Sequence, residues 1–192
     1  LRVTNLSWAG GFTGSDGRGL YDALDDAAGA VQLAGALQAG CLVVYPGGRN
    51  NHTFRHAERL LRSAIDELLD YAVAADVVLA IEPVHVSCAG PWTFHTELQE
   101  AIAFIETFQS PYLKLAMDAY HFGDDPGGLA NLGELAPHLA LVHLADRPRP
   151  HGVDQDRRPL GEGTLPLAEM VSGLLDAGYA GDFDVKLFGP EI

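Results

Sequence analysis

Short apolar runs alternate with longer amphipathic stretches along the whole chain. Runs of strand type cover residues 1–8, 41–45, 77–81, 112–117, 141–144 and 183–188. Between them, apolar positions recur at helical spacing and predict helices over 20–38, 55–75, 97–108, 129–139 and 165–177. The clearest is 55–75, where Leu60, Leu61, Ile65, Leu68, Leu69 and Val73 make one apolar stripe. Gly10-Gly11 and Pro46-Gly47-Gly48 punctuate the first two strand ends. Regular strand–helix alternation points to a parallel α/β fold.

Ionisable residues sharpen that choice. Four of the six apolar runs carry one at or near the carboxyl end: Glu82, Asp118, His143 and Lys186. In a barrel such ends converge on one mouth, where active sites are built; in an open doubly wound sheet they spread along a line. No glycine-rich phosphate loop follows the first run. The expected fold is therefore an α/β (β/α)8 TIM barrel, incomplete here. About six units are present, the first two are missing, and residues 1–192 form a single domain. The chain opens on Leu1 and stops just after a strand-like run, so a longer protein is expected.

Composition narrows the partners. The formal net charge of −14 opposes a phosphate-backbone binder, so no nucleic-acid partner is expected. No apolar run approaches the roughly 18 residues a membrane helix needs, and no secretory leader is visible. Two cysteines, Cys41 and Cys88, do not make a disulfide scaffold and fit a reducing cytoplasm; Cys41 reads as a small core residue. The composition suits a cytoplasmic protein acting on a neutral or cation-assisted small molecule, and a homo-oligomer is an expected assembly.

Glu82 ends an apolar run, where an unpaired carboxylate is expensive to bury. It serves there as a cap or ion-pair partner, or as a functional carboxylate aimed by Pro83. His85 follows Pro83 in the same turn and joins the substrate-binding candidates. Asp118 ends the next run, with His121 three residues on. His143 is either a core histidine or a ligand, with Asp146 close enough in sequence to orient its ring. The polar loop 147–162, with Arg147, Arg149, Arg157 and Arg158, is either a solvated surface or the mouth's clamp on a hydroxyl or phosphate. Two carboxylates and an imidazole on successive strand ends suit a divalent cation, which polarises sugar oxygens while a carboxylate moves the proton.

The stretches LAIEPVH (79–85), MDAYHFGDDP (117–126), LVHLADRPRP (141–150), DRRPLGEGTLPL (156–167) and AGYAGDFDVKLFG (177–189) resemble the xylose isomerase-like TIM barrels, specifically the sugar phosphate isomerase/epimerase group. Their order is similar to that family's fifth to eighth strands. The resemblance implies a sugar isomerase or epimerase. Glu82, Asp118 and His143 would hold a divalent metal (Mn, Mg, Co or Zn). Glu82 would also act as a proton-transfer carboxylate, with His121 and Arg157 on the substrate.

The departure is Lys186, where the family has a second acid/base glutamate. Three readings stand: a substitution that removes that acid/base, an electrophile or base in altered chemistry, or a side chain pointing elsewhere with Asp184 or Glu191 as substitute ligand. Lys186 is therefore a catalytic candidate beside Glu82. It also favours the alternative of a weakened or non-catalytic homologue with little or no bound metal. An abasic-site endonuclease on the same barrel is opposed by the charge.

Overall fold

Every apolar run becomes a strand, and each strand lies beside the next. The computed structural model describes residues 2–125, 130–148 and 155–188. Strands β1 (Asn5–Gly10), β2 (Cys41–Tyr45), β3 (Val78–Ile81), β4 (Leu113–Asp118), β5 (Leu139–Leu144) and β6 (Asp182–Val185) form one sheet in that order, all neighbours parallel. Helices α1 (Leu20–Ala36), α2 (Phe54–Ala75), α4 (Leu98–Glu106) and α7 (Leu167–Asp176) occupy the connections. Single-turn helices α3 (Val86–Ala89), α5 (Ala119–Phe122) and α6 (Leu132–Leu135) join them.

The sheet is curled. Strands sit roughly 4.8 Å apart, so β1 and β6 would be about 24 Å apart in a flat sheet. Yet the Arg2 guanidinium donates to both Asp182 carboxylate oxygens at 2.8 Å, joining the beginnings of the two edge strands. At the other end, Lys186 Nζ just beyond β6 reaches the Tyr45 hydroxyl on β2 at 2.8 Å. The architecture is six consecutive units of an incomplete TIM barrel. A parallel sheet is covered on both faces, so its strands are apolar on both. Leu42, Val44, Leu79, Ile81, Leu115, Met117 and Val142 pack outward against the helices. Cys41, Val43, Ala80, Ala116 and Leu141 fill the concave interior. Both cysteines are buried thiols outside any disulfide.

Helix α2 shows how local chemistry sets an element. Thr53 caps it by accepting from the His56 N–H at 3.3 Å, and Asp76 ends it with φ 54°. Ala57, Leu61, Ala64, Ile65, Leu68 and Ala72 are its buried stripe. Among the described residues no helix is long and apolar enough to cross a membrane.

Several boundaries differ from expectation: the first strand, expected over 1–8, is Asn5–Gly10, and two later elements shift as well. The helix expected over 129–139 begins at a residue outside those described. It appears as α6 and one 3-10 turn over Ala136–His138, and β5 starts already at Leu139. Pro137 has no N–H to donate and cannot continue an α-helix, so the chain turns extended two residues early. The strand expected over 183–188 closes at Val185, although the Lys186 N–H still donates to the Leu144 carbonyl at 2.9 Å.

Candidate active site

The carboxyl ends of β3, β4 and β5 put three polar side chains inside the curl. The register pairs Asp118 with His143, and His143 with Asp184, so all three share one face. Glu82 follows Ile81 and points the same way as Ala80. Glu82 and Asp118 are completely buried, and His121 and His143 nearly so.

Each carboxylate has its own cation. Arg157 is 1% exposed and donates to Asp118 Oδ1 at 3.0 Å and Oδ2 at 2.8 Å. Its guanidinium is stacked between the Tyr120 and Phe188 rings, at 4.5 and 4.4 Å from their centroids. Asp118 Oδ1 also accepts the Tyr120 N–H at 2.9 Å, which starts α5. Burial alone would raise the Asp118 carboxyl, but Arg157, then Lys186, hold it far below the usual carboxylate range. Lys186 donates to Glu82 Oε1 at 2.6 Å and lies 3.4 Å from Asp118 Oδ2. Burial raises Glu82 likewise, and the Lys186 ammonium with His143 more than reverses it, so Glu82 is ionised at neutral pH.

The histidines divide their work. His143 Nε2 lies 3.3 Å from Glu82 Oε2, and its Nδ1 lies 3.3 Å from Asp184 Oδ2. Asp146, expected to orient His143, does something else. It accepts the backbone N–H groups of Arg147, Gly161 and Leu165 at 2.8, 3.1 and 3.0 Å and so anchors the loop that carries Arg157. Burial lowers the His121 imidazole to about 4, leaving it neutral at pH 7. Ligand atoms of Glu82, Asp118 and His121 all lie within 4.8 Å of one another, the one such set of three among the described residues.

Above this cluster opens a cavity of about 290 Å³ lined by Trp8, Tyr45, Val84, Trp92, His121, Gln155, Lys186 and Phe188. Trp8, Tyr45 and Trp92 meet with ring centroids 5.5–5.9 Å apart and form one wall. His121 and Lys186 face this space. His85 is not among its lining residues: it begins α3, where its Nδ1 accepts the Ser87 N–H at 3.3 Å. Arg157 is not among the lining residues either and is held on Asp118. Arg147 is held by Asp124. Arg149 and Glu191 lie outside the described residues. Sequence reasoning missed Tyr45, whose place at the end of β2 matches that of Glu82 after β3. It also missed Trp8 and Trp92, which no local pattern marks.

Residues 1–191 match the family described as xylose isomerase-like TIM barrel. The chain belongs to this family. An inosose isomerase of Halalkalibacterium halodurans is 25% identical over 186 residues, 94% of this chain and 64% of that protein. A D-psicose 3-epimerase of Enterocloster bolteae is 29% identical over 133 residues, 69% of this chain and 40% of the epimerase. The chain thus spans less than two thirds of either relative. Protein SMc04130 from Sinorhizobium meliloti superposes with a TM-score of 0.88 at 29% identity, over 100% of this chain and 71% of that one. The IOLI protein, solved with a zinc atom, shares the fold at a TM-score of 0.81 and 21% identity, over 99% and 69% of the two chains.

For this xylose isomerase-like barrel, Glu82, Asp118 and His121 are a donor set of the kind a divalent metal takes. The charge around them does not fit one as arranged. Lys186 and Arg157 already balance the two carboxylates. An ammonium about 4 Å from a dication repels it by roughly 8 kcal/mol at an effective dielectric of about 20.

Proposed function

We propose that this protein is a sugar isomerase of the proton-transfer type, with Glu82 as the carboxylate that moves the proton. The observation that carries the reading is the division of labour on Glu82. Oε1 is bound by Lys186, while Oε2 has only the His143 imidazole at 3.3 Å, in an ionised and fully buried carboxylate next to an aromatic-walled cavity. The names of the relatives, an inosose isomerase and a psicose epimerase, support the substrate class.

A hydroxy-carbonyl sugar binds with its C–H face on the Trp8–Tyr45–Trp92 wall and its oxygens toward His121, Lys186 and Gln155. Glu82 Oε2 takes the proton from the carbon beside the carbonyl. The C–H pair becomes the C=C bond of an enediolate, and the carbonyl π pair moves onto oxygen. The hydroxyl proton passes between the two oxygens, and Glu82 returns its proton to the neighbouring carbon. One base on one face suffices for this 1,2-isomerisation. Epimerisation needs a second proton carrier on the opposite face. Asp118 is committed to Arg157, and Lys186 stands where the family has its second acid/base.

The residues also divide by role. His121 faces substrate. Arg157 positions Asp118. His85 acts in the local turn. The test is turnover on a panel of aldoses, ketoses and inososes, with Glu82→Gln expected to lose at least about 100-fold in kcat. Undiminished turnover in Glu82→Gln refutes the assignment. Efficient C3 epimerisation refutes the single-base reading.

A further inference from the structure

The conflict between the donor set and its surroundings has a specific solution. We propose that Lys186 is the resident cation of this centre. Its ammonium occupies the place between Glu82 and Asp118 that a divalent ion would take, and it holds the negative oxygen of the enediolate, so that the reaction runs without added metal. The inference rests on the isomerase reading above and assigns the group that reading leaves open.

Geometry supports it first. Lys186 Nζ lies 2.6 Å from Glu82 Oε1, 3.4 Å from Asp118 Oδ2 and 2.8 Å from the Tyr45 hydroxyl oxygen. It therefore bridges the same two carboxylates that would share a metal. Two of its three N–H donors are engaged at hydrogen-bond length. The third contact, at 3.4 Å, is longer than an N–H···O bond prefers, which leaves a donor for a substrate oxygen. The Lys186 side chain lines the cavity, whereas Glu82 and Asp118 are completely buried. The positive charge is thus placed where the oxygen of a bound sugar develops its negative charge.

Charge balance supports it second. Glu82 and Asp118 against Lys186 and Arg157 sum to zero, and Arg157 is fixed by two hydrogen bonds and two aromatic faces. A positive group fixed against developing oxyanion charge in a buried site does the work a Lewis acid would otherwise do. The electron balance is that of the enolisation already described. The carbonyl π pair ends on the oxygen facing Lys186 Nζ, and no proton leaves the ammonium.

The experiment compares the full-length protein with Lys186→Met and Lys186→Glu after chelator treatment. Calorimetric titration with manganese is run alongside turnover, and far-UV circular dichroism checks the fold of each variant. Expected are no saturable manganese binding by the wild type below about 1 mM, undiminished wild-type turnover in chelator, and a loss of about 100-fold or more in Lys186→Met that manganese does not restore. Lys186→Glu should bind manganese at least about 100-fold more tightly than the wild type. Micromolar manganese binding by the wild type overturns the proposal, as does chelator-sensitive turnover that manganese rescues or wild-type-like activity in Lys186→Met. Should no form turn over any sugar, the isomerase reading fails; the titrations then still decide whether Lys186 holds the cation position. If Lys186→Glu does not fold, wild type and Lys186→Met decide it.

Discussion

Replacing Arg157 with methionine tests whether the buried charges are held as pairs. The substitution keeps an unbranched apolar stem between Tyr120 and Phe188 but leaves Asp118 without its two guanidinium hydrogen bonds. Both partners are fully buried, so water cannot replace the lost contacts. Removing one partner of such a pair costs about 3–5 kcal/mol, because an uncompensated charge remains. For a chain of this size that is a fall of roughly 6–20 °C in Tm. Lys186 at 3.4 Å softens the loss, which places the expectation toward the lower end. The pH dependence gives an independent sign. Asp118 is held below its unfolded value, so it contributes stability above about pH 4 that is lost as pH falls. In Arg157→Met the carboxyl moves up, that contribution shrinks, and the variant's deficit narrows between pH 7 and pH 3. Urea denaturation at both pH values measures it. A deficit under about 1 kcal/mol at pH 7, or one that widens in acid, would refute the pairing.

Other consequences are as direct. His95 is 1% exposed among Phe54, Phe94 and Phe104, neither ring nitrogen makes a hydrogen bond, and burial lowers it to about 4. Between pH 6.5 and 4 the unfolded chain binds this proton and the folded one resists it, so stability falls as pH drops through that window. His95→Leu should flatten the slope and add about 1–3 kcal/mol at neutral pH, read from urea midpoints; an unchanged slope counts against it. Gly10 has φ 142°, and a Cβ there would meet the Tyr45 carbonyl oxygen at 1.8 Å. Gly10→Ala should cost about 2 kcal/mol or more and weaken sugar binding by displacing Tyr45, as measured by thermal melting and ligand titration; a melting point equal to wild type contradicts this. With a net charge of −14, no salt-sensitive binding to duplex or abasic-site DNA is expected in an electrophoretic shift assay, and a shift that grows at low salt would reopen that reading.

Much of this protein is written locally in its sequence. Apolar runs of four to eight residues separated by helical stripes determined six parallel units, because side-chain periodicity is a property of neighbouring residues. Strand ends were legible as well, since a carboxylate closing an apolar run, as at Glu82 and Asp118, has few structural uses. The pairing of those groups was not legible. Lys186 and Glu82 stand 104 positions apart, and Arg157 and Asp118 stand 39 apart. Only the curl of the sheet, which brings Tyr45 at the end of β2 to within a hydrogen bond of Lys186 beyond β6, decides that the lysine fills the space between the carboxylates. The same curl gathers Trp8, Tyr45 and Trp92 into one wall. It also gives Asp146 to the loop backbone and Asp184 to His143, where proximity in sequence had suggested Asp146 as the partner of His143. Periodicity acts over a few residues and survives in a one-dimensional reading. Charge pairing acts through space over a few ångströms, and the curled geometry of the sheet alone determines which charges come that near.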